Sequence, residues 1–122
     1  MPTPADPAFR ARLAALNDKF AATVPGILEK ITQALAACVA LAPPAAGTAP
    51  PEAAVRALHE LLHGVAGSAG TFGFPTLGRE ARHVEHMVRQ VLTEGSGWTE
   101  TVPAVEKFLA WAARDPRAEQ FD

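Results

Sequence analysis

The sequence predicts an all-α fold, an up-and-down four-helix bundle with an additional N-terminal helix. Apolar residues recur every three or four positions along most of the chain, which is the spacing of one helix face. Nothing alternates with period two for long enough to predict a strand, and proline or glycine separates the apolar segments. With 122 residues, of which 48% are hydrophobic, residues 1–122 are expected to form one domain.

The N-terminal helix is predicted to begin at Asp6-Pro7, an N-cap residue followed by proline in the first turn. Its apolar face consists of Phe9, Leu13, Leu16 and Phe20. Pro25 is expected to end or kink this helix, because proline lacks an N–H and crowds the preceding turn. A further helix should follow, with Leu28, Ile31, Leu35 and Cys38 or Val39 on its apolar side.

The remaining helices are separated by clear breakers. Residues 42–51 (APPAAGTAPP) contain four prolines and are expected to form a long loop. The next helix should begin near Glu52, with a seam of Val55, Leu58, Leu62, Val65 and Ala69. Another should begin at Pro75 and bury Leu77, Ala81, Val84, Val88 and Val91. After a turn at residues 95–97, the last helix carries Trp98, Val102, Val105, Leu109 and Ala112 on one face.

Composition narrows the classes of partner. The chain has 11 Lys and Arg against 13 Asp and Glu, with no basic run, which argues against nucleic acid. Cys38 is the single cysteine, so a reducing compartment fits. Residues 1–9 do not resemble a signal peptide, and no apolar stretch is expected to reach the roughly 20 residues of a membrane span. We therefore expect a cytoplasmic protein without a membrane partner, and nothing demands a dimer.

Residues 58–74 (LHELLHGVAGSAGTFGF) carry most of the functional information. At about 100° per residue, His63 falls at the flank of the apolar seam and should reach solvent. Gly67 lies one turn further on, on the same side. Glycine inside a helix costs about 1 kcal/mol relative to alanine, so Gly64, Gly67 and Gly70 are hard to explain by packing alone. Missing side chains beside an exposed histidine would allow another protein surface to approach the ring.

The same residues contain a competing motif. His59-Glu60-Leu61-Leu62-His63 matches H-E-x-x-H, the zinc-protease helix, in which two histidines share a face. Glu80 or Glu85 could be offered as a third ligand. The extended form of the motif needs a glycine and a third histidine where this chain has Ala66 and Ala69. A zinc hydrolase therefore remains a minor alternative, and no metal ligand is assigned.

The segment resembles the histidine-containing phosphotransfer (HPt) domains of two-component phosphorelays. That family has a phosphorylatable histidine, then a hydrophobic residue, commonly a lysine, and a glycine at two, three and four positions later. Here these positions are His63, Val65, Ala66 and Gly67. The run Thr71-Phe72-Gly73-Phe74 is similar to the corresponding region of chemotaxis kinases, and the helix order is compatible over nearly the whole chain.

The resemblance implies that His63 accepts a phosphoryl group from a receiver-domain aspartate of a hybrid kinase and passes it to a response regulator. It also implies that Glu85 orients the imidazole, and that Mg²⁺ comes from the receiver because the protein has no cofactor of its own. Candidate partner-binding residues around His63 are Arg56, Glu60, Ala66, Gly67 and Gly70.

Ala66 departs from the family pattern, because a lysine is common at this position. The protein could hold its phosphoryl group less well, or Arg56 or Arg82 could supply the missing positive charge. The departure also leaves open a helical interaction module that never carries phosphate. His59, His83 and His86 lie outside the matching pattern and are expected to be surface residues.

Overall fold

The computed structural model describes residues 6–122, which form four α-helices and one short 3-10 turn, with no strand between those residues. Residues 1–5, part of the segment for which no signal peptide is expected, lie outside the described residues. The helices are α1 (Pro7–Leu41), α2 (Glu52–Ala69), α3 (Pro75–Glu94) and α4 (Trp98–Arg114). The 3-10 turn, Pro44–Ala46, lies in the predicted loop. The predicted all-α bundle is therefore confirmed.

The first helix differs from its prediction, because α1 continues through Pro25 for 35 residues, about 52 Å. The expected N-terminal helix is thus the first half of α1. Asp6 caps this helix as predicted, since its carboxylate accepts the backbone N–H groups of Ala8 and Phe9. Packing overrides the break at Pro25, because residues on both sides of it, Val24 and Leu28, are buried in the common core.

Among the helices of residues 6–122, α1 alone is long and apolar enough to cross a membrane, by length and composition only. This differs from the expectation that no apolar stretch is long enough to span a membrane. The many alanines of α1 separate its charged residues and leave a long segment with few charges. A helix that buries one face in a bundle satisfies the same criterion. The buried positions of α1 are Phe20, Val24, Leu28, Ile31, Leu35 and Cys38.

The core lies between the apolar faces of all four helices, and every seam residue predicted for α2 and α3 is buried. Cys38 joins α1 to α2, because its thiol lies 3.3 Å from the carbonyl oxygen of Ala54. Burial also raises the pKa of this thiol, which keeps it protonated and unreactive. The face of α4 is buried as predicted at Trp98, Val102, Val105 and Ala112, whereas Leu109 is half-buried.

Two connections are fixed by tryptophan side chains. The indole N–H of Trp98 donates to the carbonyl oxygen of Ala42 at 2.7 Å, which holds the start of the 42–51 loop against α4. The indole N–H of Trp111 donates to the backbone carbonyl oxygen of Gln120 at 2.8 Å, which holds the segment after α4 against the bundle. Both bonds satisfy a polar group on a large buried side chain.

The packing of α2 against α3 depends on Gly78, a glycine of α3 that lies outside the 58–74 motif. A Cβ atom at Gly78 would lie 3.1 Å from the backbone nitrogen of Gly70 and 3.7 Å from the carbonyl oxygen of Ala66. Gly73, in the connection between α2 and α3, has a φ of +88°, a backbone conformation that residues with a side chain rarely adopt. These two glycines permit a tight, close-packed α2–α3 hairpin.

Candidate functional site

His63 and Glu85 form the centre of the site on the α2–α3 hairpin. The imidazole Nδ1 of His63 is hydrogen-bonded to Oε1 of Glu85. The His63 side chain is 64% exposed, whereas the Glu85 side chain is fully buried. The resemblance implies this pairing, but it does not indicate that the Glu85 side chain is buried. The structure instead buries it between the two helices.

Several positive or polar groups stabilise the buried carboxylate. Arg89, one turn further along α3, donates from Nη2 to Oε1 of Glu85 at 3.2 Å. Burial alone would raise the pKa of Glu85, but the hydrogen bond from His63 and the charge of Arg89 outweigh burial and lower it. Glu85 is therefore an anion at neutral pH and accepts the hydrogen bond from His63.

This ionisation state fixes the tautomer of His63. An anionic carboxylate accepts but cannot donate, so Nδ1 of His63 must carry the proton. The lone pair of the neutral ring then lies on Nε2, the nitrogen directed away from Glu85. The arrangement gives an exposed nucleophilic nitrogen whose ring is fixed from inside the protein.

His59 and His86 also lie at the site; His86 is a surface residue as expected, whereas His59 is largely buried, contrary to the expectation. The His59 ring stacks on that of His63 with centroids 5.9 Å apart, and its side chain is only 17% exposed. Its Nε2 lies 3.8 Å from Oε1 of Glu85, and Nε2 of exposed His86 lies 3.8 Å from Oε2. The spacing of His59, one turn before His63, was the sequence feature that could have identified it.

Burial lowers the pKa of the His59 imidazole, so this ring is neutral at physiological pH. Its buried Nε2 has no hydrogen-bond partner among the described residues, and neither has Oε2 of Glu85. Buried polar atoms are normally satisfied, so these two unpartnered atoms are exceptions, and one of them belongs to the carboxylate that holds His63. The carboxylate thus keeps unused acceptor capacity next to the imidazole.

The glycines around His63 leave the surface open. A Cβ atom at Gly64, Gly67 or Gly70 would meet nothing within 4 Å. Close helix packing therefore does not explain any of the three glycines. The surface over these three glycines is therefore open.

The other candidate contact residues differ in exposure. Arg56 and Glu60 are exposed, and Arg56 forms an ion pair with Glu52 one turn earlier. Ala66, by contrast, is only 6% exposed. Its assignment as a partner contact is therefore corrected, because its methyl group belongs to the core between α2 and α3.

An open apolar groove of about 280 Å³ lies beside the site, between α1 and α2. It was not predicted, since it needs the relative placement of two helices. Its lining residues are Phe20, Ile27, Lys30, Glu60, Leu61, Gly64, Val65 and Ser68. The groove extends the surface next to His63 with apolar walls and charged edges.

The zinc-site alternative finds no support in the geometry of the described residues. No group of three or more His, Cys, Asp or Glu side chains within residues 6–122 is arranged to hold a metal ion. Oε1 of Glu80, one of the two carboxylates considered as a third zinc ligand, lies 3.9 Å from Nε of Arg79. Glu85, the other, is engaged by His63 and Arg89.

An all-α bundle that presents a histidine oriented by a buried acid has the architecture implied for histidine phosphotransfer domains. The family model described as Hpt domain matches residues 15–114, and the chain therefore belongs to the Hpt domain family. Membership implies involvement in two-component phosphorelays, where Hpt domains generally interact with receiver domains. Among curated proteins and solved structures, no match was found.

Proposed function

We propose that the protein is a phosphorelay intermediate that carries a phosphoryl group on Nε2 of His63. The donor is the aspartyl phosphate of a receiver domain in a hybrid histidine kinase, and the acceptor is the aspartate of a response regulator. The observation that supports this proposal is the hydrogen bond from the exposed imidazole of His63 to the buried carboxylate of Glu85. Both receivers and this protein would meet in the cytoplasm.

The first transfer is a displacement at phosphorus. The lone pair on Nε2 of His63 attacks the phosphorus atom of the aspartyl phosphate, and the bond from phosphorus to the aspartate oxygen breaks. The electron pair leaves with the aspartate, which becomes a carboxylate. No proton moves, because Nδ1 keeps its proton throughout. The positive charge that develops on the ring lies next to anionic Glu85, which stabilises it.

The second transfer reverses these bonds. A carboxylate oxygen of the response regulator attacks phosphorus, and the bond from phosphorus to Nε2 breaks as the ring recovers its lone pair. Phosphoryl transfer depends mainly on positioning and charge neutralisation. In this proposal Mg²⁺ belongs to the receiver and neutralises phosphoryl charge there, and this chain contributes the nucleophile and its orientation.

Docking is proposed to use the open face around His63. Gly67 and Gly70 allow close approach, the groove between α1 and α2 offers apolar surface, and Arg56 and Glu60 provide polar edges. A surface of this kind suits a small, transient interface that forms and separates on each transfer. A tight complex would slow the release that a carrier requires.

The test incubates the protein with a panel of phosphorylated receiver domains from its own genome. Wild type and His63→Gln are compared, and the readout is acid-labile, base-stable label on the chain. We expect label on wild type and none on the variant. If no receiver labels the folded wild type, the protein is instead a helical interaction module. Label retained by His63→Gln would place the phosphoryl group on another histidine.

A further inference from the structure

The family's usual positive charge is missing from position 66, but an arginine of the neighbouring helix reaches that position. Nη2 of Arg82, on α3, lies 3.5 Å from the carbonyl oxygen of Ala66, on α2. A contact of that length is weak for a hydrogen bond. The guanidinium therefore crosses the hairpin to position 66 without being held firmly there.

Arg82 also differs from the other arginines of the hairpin in its ion pairing. Arg56 pairs with Glu52, Arg79 lies 3.9 Å from Glu80, and Arg89 lies 3.2 Å from Glu85; these are the neighbouring arginines of α2 and α3. In the part of the chain that the structure describes, Arg82 forms no ion pair with a carboxylate. Its charge is therefore available to an incoming anion.

The register of the hairpin places Arg82 beside the phosphoacceptor. His63 faces Glu85 across the two antiparallel helices. Ala66 follows His63 by three residues on α2, and Arg82 precedes Glu85 by three residues on α3. Ala66 and Arg82 also face each other across the hairpin. Three residues correspond to about 4.5 Å along a helix. The position of Arg82 is therefore offset by about one helical turn from the His63–Glu85 pair, an offset shorter than an extended arginine side chain.

We infer that Arg82 binds the phosphoryl oxygens of phosphorylated His63 and replaces the lysine that position 66 lacks. The guanidinium leaves the Ala66 carbonyl and donates two N–H groups to the phosphoryl oxygens, a geometry that suits arginine. Arg56 was the other candidate for the positive charge that Ala66 lacks, but Arg56 forms an ion pair with Glu52. This inference rests on the proposed function of His63, and its test is designed to separate the two.

The test uses phosphoramidate, a small phosphodonor, so that labelling does not depend on finding the receiver. Wild type, Arg82→Gln and Arg82→Lys are labelled, and His63→Gln identifies the resonance of phosphorylated His63. Arg79→Gln is the matched control, because it removes an exposed arginine from the same helix three residues away. Phosphorus NMR then follows the phosphoryl ionisation of each variant as a function of pH.

Because a nearby cation favours the dianion, we expect Arg82→Gln to raise the phosphoryl pKa by about 0.3 to 0.7, the size of an exposed charge pair. Arg82→Lys should shift it less, and Arg79→Gln should leave it at the wild-type value. With a receiver in hand, Arg82→Gln should move the transfer equilibrium about two- to fivefold towards the receiver.

An Arg82→Gln titration that overlays wild type, or an equal shift in Arg79→Gln, overturns the inference and leaves the proposed function standing. The converse result is also distinguishable. If phosphoramidate labels His63 but no receiver does, the proposed function fails, and the titration still decides whether Arg82 contacts the phosphoryl group. A wild type that takes no label on His63 from either donor overturns both.

Discussion

Oε1 of Glu85 accepts a hydrogen bond from Nδ1 of His63. The Glu85 carboxylate is fully buried, whereas the imidazole that it orients is 64% exposed. Water can reach one side of the ring and not the other. The buried acid therefore sets the orientation and tautomer of the ring, and the exposed nitrogen remains free for a partner. The exposed imidazole comes from α2 and the buried carboxylate from α3, so the geometry of the site depends on the packing of these two helices.

Glu85→Gln should slow phosphotransfer about tenfold, because glutamine still accepts the His63 hydrogen bond but lacks the charge that stabilises the phosphorylated ring. The measurement is the initial rate of label transfer from a phosphorylated receiver. Glu80→Gln is the matched control, since it removes a carboxylate from the same helix whose neighbour is Arg79. A Glu85→Gln rate within twofold of wild type would contradict the role given to this charge.

Gly67→Gln should block docking without disturbing the fold. A side chain there enters open space, so the free energy of unfolding should stay the same or rise slightly. Transfer from a receiver should nevertheless fall at least tenfold, because the glutamine occupies the surface beside His63. Gly26→Gln is the control, as Gly26 is also a helical glycine with open surroundings, on α1. Equal transfer rates in the two variants would show that clearance at Gly67 is unimportant.

Acid should destabilise the protein in two ranges of pH. The pKa of His59 is lowered from 6.5, so below that pH the unfolded chain binds a proton that the folded protein resists, and stability falls. The pKa of Glu85 is lowered from 4.5, so its contribution is present above 4.5 and lost as pH falls through the folded-state pKa.

Urea unfolding at pH 7.5 and pH 5.5 tests the upper range. Wild type should lose stability on acidification, and His59→Gln should lose less, because glutamine does not titrate. His83→Gln, which removes an exposed histidine of α3, should behave as wild type. An unchanged pH dependence in His59→Gln would mean that the buried imidazole is not responsible.

Alanine at two glycines of the hairpin should have opposite effects on stability. Gly64→Ala adds a methyl group in open space and should raise the free energy of unfolding by about 0.5–1 kcal/mol. Gly78→Ala places Cβ 3.1 Å from the backbone of Gly70, which cannot move aside cheaply. Its packing cost of about 1–3 kcal/mol should exceed the helical gain and lower stability by about 1 kcal/mol. Denaturant titration of both variants measures the difference.

Most of the fold was predictable because the apolar periodicity and the breakers agree. The starts of α2, α3 and α4 at Glu52, Pro75 and Trp98 follow from seams bounded by proline or glycine. Pro25 was misleading, since local chemistry says that a helix should break or bend there. Burial of α1 residues before and after Pro25 favours one continuous helix, and that contribution depends on the assembled bundle.

The pairing of His63 with Glu85 could be anticipated from the resemblance, but the electrostatics of the pair could not. Periodicity places Glu85 at the flank of the apolar face of its helix and does not indicate that its carboxylate is fully buried. Its burial depends on Arg89 and His63, which approach from different helices. The spacing of His59 one turn before His63 is visible in the sequence, but its burial and its stacking on the His63 ring depend on the folded structure.

The side chains that form the site are confined to one helical hairpin, residues 52–94. Contacts between residues close in sequence form early in folding, whereas the packing of α1 against α4 joins distant parts of the chain. During synthesis, a nascent chain that has emerged as far as residue 94 already contains the side chains that surround His63 and Glu85. We expect this hairpin to nucleate folding on the ribosome, with α4 arriving last to complete the core.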